Sequence, residues 1–256
     1  MEEDQLHPDA QRDADSRNTN VVWVTGGSRG IGRAIALAFG HAQWRVAVHY
    51  RERERDARQV VEEIRERGGD AEVYQGEVRD SGQMCKAATA IVERWHRLDA
   101  VICNAGMATS RLLAKTDEDA WDRIIGTNLT GVFYTMRAAA PLMIPSGGGH
   151  IIVVGSLAGF QGQAGQAAYA TSKSGLVGLA RTAAREWGPA NLRVNLVLPG
   201  WQPTHLAGEA FPEHAGAEHL LGRTPDINEV VRTVFHLARC RDISGQIWNL
   251  DNRPFY

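Results

Sequence analysis

The chain has 256 residues, of which 43% are hydrophobic and 23% charged, a composition typical of a globular protein able to bury a sizeable core. Its formal net charge of −2 provides no broad positive field, which argues against nucleic acid or an anionic membrane and favours small molecules as partners. The spacing of Cys85, Cys103, Cys240 and the nine histidines matches neither a disulfide framework nor a metal-ligand set, so we predict no metal and a reducing, cytoplasmic location.

Residues 1–19 are polar and lack an apolar stretch, which predicts a disordered tail, or alternatively an interaction arm, before a single domain over residues 20–256. From Asn20 onward, short apolar runs alternate with amphipathic segments, a pattern typical of a doubly wound α/β fold with helices on both faces of a parallel sheet. About seven strands are predicted, over residues 21–25, 45–50, 71–75, 99–104, 150–156, 192–198 and 246–250.

Apolar residues at three- and four-residue intervals predict helices over residues 31–42, 56–67, 82–95 and 119–143. We expect Pro141, Pro145 and the run 146–149 to terminate the fourth of these helices, because proline removes a donor and glycine permits turn dihedrals. Residues 205–222, rich in Gly, Ala, His and Glu, break the rhythm and predict either a mobile flap over a site or an ordinary surface helix.

A glycine-rich turn, Thr25–Gly32, directly follows the first predicted strand and opens a helix. Such a turn lets backbone N–H groups approach a pyrophosphate, and the helix N-terminus adds a partial charge of about +0.5 e. The spacing of Gly26, Gly30 and Gly32 stretches the first gap of the common dinucleotide fingerprint, so simple chain reversal stays an alternative. Its position after the first strand favours a dinucleotide.

The end of the second strand indicates which dinucleotide is bound, since an acid there favours NAD and arginines accommodate a 2′-phosphate. Here Tyr50 is followed by Arg51, and Arg29 lies in the glycine turn, so the sequence favours NADPH over NADH. Glu52 and the alternating charges that follow leave an ordinary solvated helix face as the alternative for Arg51.

Four residues predict a catalytic centre. Tyr169 and Lys173 lie four residues apart on a helix and therefore on one face, where an ammonium would lower the pKa of a phenol from about 10 and make it a proton donor. Ser156, at the end of the fifth strand, is predicted to hydrogen-bond a substrate carbonyl, and Asn128 to bind a water beside Lys173. Singly, each residue also fits an ordinary structural role, such as a lysine that snorkels to water.

In chain order, these motifs resemble the short-chain dehydrogenase/reductase family over about residues 20–250. The motifs are Thr25-Gly26-x-x-x-Gly30-x-Gly32, Asn104-Ala105-Gly106, Asn128, Ser156, Tyr169-x-x-x-Lys173 and Pro199-Gly200. The resemblance implies a Rossmann-type fold, a homotetramer and the catalytic set Asn128, Ser156, Tyr169 and Lys173. It also implies the cofactor-binding set Gly26, Ser28, Arg29, Gly30, Ile31, Gly32, Tyr50, Arg51, Glu77, Val78, Asn104, Ala105, Gly106, Tyr169, Lys173, Pro199, Gly200, Gln202 and Thr204.

Within that family the chain is most similar to 3-oxoacyl-acyl-carrier-protein reductases, judged on Ser28-Arg29 and on residues 104–106, 128–131 and 243–246. This similarity implies NADPH-dependent reduction of a 3-oxoacyl thioester, carried by acyl carrier protein or CoA, in fatty acid biosynthesis. A different ketone or alcohol, such as a sugar, quinone or hydroxysteroid, is the alternative substrate. A non-catalytic dinucleotide-binding regulator is the alternative function.

The chain also departs from the family at several positions. Glu77-Val78 stands where Asp-Val is common, although a carboxylate is retained. The arginines with which such reductases dock acyl carrier protein precede strands five and six, where this chain has residues 146–149 and 189–191, and their loss weakens the case for that partner. Residues 250–254 replace a usual glycine pair, and Trp201 and Gln202 are predicted to form a distinctive pocket wall.

Overall fold

The computed structural model of the protein describes residues 19–202 and 219–254. All but the last residue of the predicted tail, Thr204 and most of the predicted flap therefore lie outside the described residues. Within the described part, the helices and strands follow one another in the alternation that the sequence predicts.

The apolar runs form one sheet of seven strands, every neighbouring pair of which is parallel. The strands are β1 (Val21–Val24), β2 (Arg45–Tyr50), β3 (Ala71–Gln75), β4 (Ala100–Cys103), β5 (Gly149–Val154), β6 (Leu192–Leu198) and β7 (Ile247–Asn249). Their order across the sheet is β3-β2-β1-β4-β5-β6-β7. The chain therefore runs outward in one direction from β1 and in the other from β4, which leaves a crevice at the carboxyl ends of these two strands.

Eight α-helices connect the strands in the described part of the chain. They are α1 (Gly30–His41), α2 (Glu54–Glu66), α3 (Ser81–Trp95), α4 (Glu118–Ile125), α5 (Gly131–Met143), α6 (Ala158–Gln161), α7 (Ala167–Trp187) and α8 (Ile227–Arg239). Apolar residues of α1, α2 and α8 pack on one face of the sheet, and those of α3, α5 and α7 pack on the other. The predicted doubly wound Rossmann-type sheet is thus confirmed.

The predicted fourth helix, residues 119–143, is corrected in one respect. A π-helical turn, Gly126–Thr130, separates α4 from α5. The predicted end at residue 143 is confirmed, with Pro145 and the glycine run directly after it, although Pro141 itself lies inside α5, which continues to the fully buried Met143. A proline removes one helical donor, and the packing of the apolar face compensates for that loss here.

Candidate active site

The glycine turn between β1 and α1 depends on residues without a side chain. Gly26 has φ +64° and Gly30 has φ +55°, a left-handed conformation that favours glycine. A Cβ at position 32 would lie 2.2 Å from the carbonyl oxygen of Gly26 and 2.4 Å from the side-chain nitrogen of Asn104. The turn is therefore packed against the segment that follows β4, and its open side faces the crevice.

Thr25 and Asn104 join these two segments. The Thr25 hydroxyl accepts hydrogen bonds from the backbone N–H groups of Asn104 (3.0 Å) and Ala105 (3.1 Å). The Asn104 side-chain amide donates in return to the carbonyl oxygens of Thr25 (3.0 Å) and Gly26 (3.2 Å). Thr25 is buried, so these bonds are shielded from water and hold the turn at the wall of the crevice.

The crevice is an open cleft of about 240 Å³. It brings together most of the predicted cofactor-binding residues, namely Gly26, Ser28, Arg29, Gly30, Ile31, Tyr50, Arg51, Glu77, Val78, Asn104, Ala105 and Gly106. Its lining also contains residues that we did not predict, namely His49, Glu52, Arg53, Gly76, Met107 and Thr127. The cleft thus runs from the ends of β2 and β3, across the glycine turn, to the segment after β4.

Arginines and carboxylates alternate at the β2 end of the cleft. Arg51 contacts Glu52 (2.8 Å) and Glu77 (3.4 Å), and Arg53 contacts Asp56 (3.3 Å). Burial raises the pKa of Glu77, but hydrogen bonds from Arg79 and the charges of Arg79 and Arg51 outweigh this effect and leave the pKa below its usual value. Glu77 is therefore a carboxylate that orients Arg51 across the cleft.

Arg29 lies opposite these pairs, in the glycine turn. Burial, together with the neighbouring charges of Arg53 and Arg51, lowers the pKa of Arg29, while Asp56 opposes that shift. Three guanidinium groups therefore share this end of the cleft. The arginine at position 53 was missed because the alternating charges of residues 51–58 also fit a solvated helix face.

Tyr169 and Ser156 meet beyond the carboxyl end of β5. The strand ends at Val154, and the Ser156 hydroxyl accepts a hydrogen bond from the Ala158 N–H (3.2 Å) at the start of α6. Burial raises the pKa of Tyr169, and a hydrogen bond with the Ser156 side chain partly opposes that rise. The phenol is therefore protonated at neutral pH and is held beside the serine.

Lys173 lies on the same face of α7 as Tyr169. Its Nζ is 5.8 Å from the centroid of the Tyr169 ring and donates to the carbonyl oxygen of Val154 (2.8 Å). The predicted lowering of the Tyr169 pKa by this ammonium is wrong for the structure described, because Nζ lies over the ring and desolvation of the phenol dominates.

The pKa of Lys173 itself falls to about 8, since burial penalises the ammonium, although the neighbouring Cys103 opposes the shift. Burial raises the pKa of the Cys103 thiol to about 12, so the thiol beneath the lysine is neutral. The lysine thus retains its proton over most of the neutral range without a carboxylate partner.

Asn128, fully buried in the π-helical turn, connects these residues to the cleft. Its Oδ1 accepts from the Met107 N–H (2.8 Å), and its Nδ2 donates to the Met107 carbonyl (2.9 Å) and the Ser172 hydroxyl (3.1 Å). A Cβ at Gly106 would lie 3.3 Å from Asn128 Oδ1 and 3.8 Å from Lys173 Nζ. Lys173, predicted to be catalytic, and the Asn104–Gly106 wall are therefore in direct proximity.

The segment after β6, where Pro199, Gly200 and Gln202 were predicted to flank the cofactor, is held by its own side chains. Gly200 has φ +71°, and Gln202 is buried, with its Nε2 donating to the carbonyls of Pro199 and Pro225 (both 3.1 Å). The Gln202 amide therefore holds its own loop in place. Trp201 packs beneath the guanidinium of Arg253, whose carbon lies 5.4 Å from the ring centroid.

Residues 251–254 support this loop. Both carboxylate oxygens of the buried Asp251 accept from Arg253, at distances down to 2.6 Å. Gln161 of α6 donates to the carbonyl of Pro254 (2.8 Å). The residues that replace the family's glycine pair therefore link the Pro199–Gln202 loop to the helix that follows Ser156.

Other kinds of site have little support in the described residues. No group of three or more His, Cys, Asp or Glu residues in this part of the chain is arranged to hold a metal ion. None of the described helices combines the length and the apolar character needed to cross a bilayer.

Comparisons with known proteins agree with this geometry. Residues 20–215 match the family model for short chain dehydrogenases. A 3-oxoacyl-[acyl-carrier-protein] reductase from Staphylococcus aureus strain Mu50 is 36% identical over 233 residues, covering 89% of this chain and 95% of the relative. A reductase of the same name from Thermotoga maritima is 33% identical over 237 residues, with coverages of 90% and 96%.

Solved structures give the same result. A short-chain type dehydrogenase/reductase from Mycobacterium marinum superposes with a TM-score of 0.86 at 31% identity, covering 91% of this chain and 94% of the other. The chain belongs to the short-chain dehydrogenase/reductase family. It is an NAD(P)-dependent oxidoreductase that acts on CH–OH groups.

Proposed function

We propose that the protein uses NADPH to reduce a carbonyl group to an alcohol, and that its substrate is a 3-oxoacyl thioester carried by acyl carrier protein or CoA. One observation carries the reductase assignment: the Tyr169 phenol is hydrogen-bonded to Ser156 and lies under the Lys173 ammonium, next to the wall of a dinucleotide cleft. This arrangement can transfer a proton to an oxygen atom at the cleft.

The cleft supports a nicotinamide dinucleotide. Its glycine turn leaves no room for a side chain at Gly32, so backbone N–H groups and the N-terminus of α1 lie open to a pyrophosphate. Arg29, Arg51 and Arg53 at the β2 end support the 2′-phosphate form, because guanidinium groups bind phosphate through charge-assisted hydrogen bonds. When bound, the reduced nicotinamide supplies a hydride to the carbonyl carbon.

The side chains of the proposed catalytic centre supply the proton that the substrate oxygen receives. Tyr169 stays protonated near neutral pH because its burial raises its pKa, and it can donate that proton to the substrate oxygen. Ser156 hydrogen-bonds the same oxygen and orients it towards the phenol. After transfer, the Ser156 hydroxyl hydrogen-bonds the phenolate, and the Lys173 ammonium over the ring adds an attraction that is weaker than the desolvation of the phenol. Asn128 bonds to the backbone of Met107 and so holds this part of the cleft wall close to Lys173.

The relatives support the thioester substrate, since those reported above are named 3-oxoacyl-[acyl-carrier-protein] reductases. Acyl carrier protein is the less supported carrier, because residues 146–149 and 189–191 lack the arginines that we expect at such a docking surface. We extend the proposal to a cytoplasmic homotetramer, as the family resemblance implies.

A turnover screen of the purified protein tests the proposal. NADPH and NADH are supplied in turn with 3-oxoacyl-CoA, 3-oxoacyl carrier protein, quinones and ketoses, and oxidation of the cofactor is followed. We expect turnover of the thioesters with NADPH, and a fall in kcat of at least about 10³-fold in Tyr169→Phe. The matched control is Tyr134→Phe, which removes the hydroxyl of a tyrosine on α5, outside the cleft.

Two outcomes would overturn parts of the proposal. Full activity of Tyr169→Phe would show that Tyr169 is not the proton donor. Turnover of only quinones or ketoses would show that the substrate is not a thioester. Tight NADPH binding without turnover of any carbonyl would instead identify a dinucleotide-binding regulator.

A further inference from the structure

A second cleft, of about 400 Å³, lies at the opposite edge of the sheet from the catalytic centre. Its walls include Asn20 before β1, Asp99 before β4 and the loop 146–149 that leads into β5. All of these positions are at the amino ends of parallel strands, whereas Ser156 and Pro199 follow the carboxyl ends of β5 and β6. The second cleft is therefore separated from the dinucleotide cleft by the length of the strands.

Three arginines give this amino-end cleft a positive charge. Arg193 comes from β6, Arg239 from the end of α8, and Arg241 follows that helix. None of the three forms an ion pair with a carboxylate anywhere in residues 19–202 and 219–254, although the charge of Asp242 acts on Arg193. This grouping is unusual because like charges repel and are generally placed next to a compensating acid.

The acid that does line this cleft is already neutralised. The two carboxylate oxygens of Asp99 accept from Arg97 at 2.6 and 2.8 Å, and one of them also accepts from the Val21 N–H at 2.8 Å. Asp99 therefore has little charge left with which to offset the three arginines.

Only part of the Arg193 guanidinium has hydrogen-bond acceptors. Its Nη1 donates to Asn191 Oδ1 (2.9 Å) and to the Arg241 carbonyl (3.4 Å), while its buried Nε has no hydrogen-bond partner among the described residues. Burial and the charge of Arg241 lower the pKa of Arg193. A buried donor without an acceptor is costly, and a bound anion would remove that cost.

We propose that the amino-end cleft is a second ligand site, which binds a small molecule carrying two or more phosphate or carboxylate groups. Arginine pairs bind such groups in a planar, two-point geometry, and a ligand with several anionic groups can contact Arg193, Arg239 and Arg241 together. The concave shape and the volume of the cleft suit a small molecule better than the convex surface of a protein partner. The glycines of the loop 146–149 present backbone, and not bulky side chains, to the ligand.

Pyrophosphate is a suitable probe because it carries several negative charges on a small frame. Its binding is measured by titration calorimetry and thermal unfolding of the full-length protein with saturating NADP⁺, so that the dinucleotide cleft is already occupied. We expect saturable binding and a rise in Tm, since a ligand that binds only the folded state stabilises it. Potassium chloride at equal ionic strength should not reproduce the rise.

Variants then locate the site. The double substitution Arg193→Gln/Arg241→Gln should weaken pyrophosphate at least tenfold, whereas Arg181→Gln/Arg185→Gln, which removes two exposed charges from α7, should leave its affinity unchanged. Should the first double variant fail to fold, Arg239→Gln removes an exposed guanidinium and should still weaken binding severalfold.

The proposal is overturned if Arg193→Gln/Arg241→Gln binds pyrophosphate as the parent does, or if chloride gives the same rise in Tm. Binding of an acidic protein at these arginines with no binding of pyrophosphate would also overturn it. Because these readouts need no turnover, the result is independent of the proposed reductase activity.

Discussion

The proposed catalytic centre and the β2 end of the dinucleotide cleft differ in how their charged and polar groups are surrounded. Lys173 is 4% exposed and Asn128 is fully buried, and they form hydrogen bonds with backbone carbonyls, a backbone N–H and the Ser172 hydroxyl. At the β2 end, by contrast, the side chains of Arg51 and Glu52 are 47% and 72% exposed and contact each other.

This contrast matches two different tasks. A proton is transferred efficiently where the donor is dry and fixed, because interactions there are strong and need no reorganisation. A phosphate can be recognised at an exposed edge, where the arginines exchange one anionic partner for another. We therefore expect substitutions at the catalytic centre to change kcat and substitutions at the β2 end to change the preference between cofactors.

After Tyr169→Phe, the largest effect on kcat is expected at Ser156. Replacing it by alanine removes the hydroxyl that we assign to the substrate oxygen, so kcat should fall by about 10²- to 10³-fold while the Kd for NADPH stays constant. Steady-state kinetics and a fluorescence titration of the cofactor measure the two quantities. Ser174→Ala, an exposed serine on α7, serves as the control. A change in cofactor Kd without a change in kcat would contradict the assignment.

Thr25→Val tests whether the glycine turn is held by its hydrogen bonds. The substitution keeps the shape of the side chain but removes the acceptor for the N–H groups of Asn104 and Ala105, so the free energy of unfolding should fall by about 1–3 kcal/mol. Urea unfolding measures this free energy, and the control is Thr182→Val, which changes an exposed threonine. We also expect weaker binding of both cofactors to the same degree, and a selective loss of one would argue against a role in positioning the turn.

Arg51→Gln tests the role of the β2 end of the cleft in the preference between cofactors. Removing one guanidinium should raise the KM for NADPH about tenfold, which corresponds to about 1.4 kcal/mol, and leave the KM for NADH nearly unchanged. The control is Arg58→Gln, an exposed arginine of α2 that pairs with Glu54. Equal effects on the two cofactors would show that Arg51 does not contact a 2′-phosphate.

The last effect is a gradual change of stability with pH at Lys173. Its pKa of about 8 in the folded protein is below its usual value of 10.5, so between these two pH values the unfolded chain binds more of this proton than the folded chain does. The contribution of Lys173 to stability therefore rises with pH from about 8 to 10.5, by at most about 1.4 kcal/mol per pH unit, and its full cost is present below pH 8.

Urea unfolding of the parent and of Lys173→Met across this range isolates that contribution. The difference in unfolding free energy between them should change with pH, whereas the difference between the parent and the exposed Lys115→Met should not. A pH-independent difference at Lys173 would mean that the ammonium is less desolvated than its buried position indicates.

Much of the fold follows from the sequence, because runs such as Val21–Val24 are apolar throughout and predict strands that are covered on both faces. The position of the cleft also follows, since the glycine turn comes directly after the first strand. The individual roles of Asn128, Ser156, Tyr169 and Lys173 remain predictions that the variants above must test.

Other features depend on contacts between residues far apart in the chain. Asn104 bonds to residues 78 and 79 positions away, and the amino-end cleft combines residues from Asn20 to Arg241, so no local pattern reveals either arrangement. The direction of the Tyr169 pKa shift was missed for a related reason: spacing on a helix shows that two side chains are neighbours but not how strongly the surrounding protein excludes water.

The π-helical turn Gly126–Thr130 sets the rotation of α5 about the helix axis relative to α4. A π turn takes up one more residue than an α turn, so the helix that follows is rotated by roughly 100° relative to an uninterrupted one. This rotation allows α4 to pack on α7 while α5, its continuation, packs on α3. Deleting any single residue of the turn would therefore misdirect the apolar side of α5, including Val132 and Met136, and would carry the Asn128 amide away from Met107 at the same time.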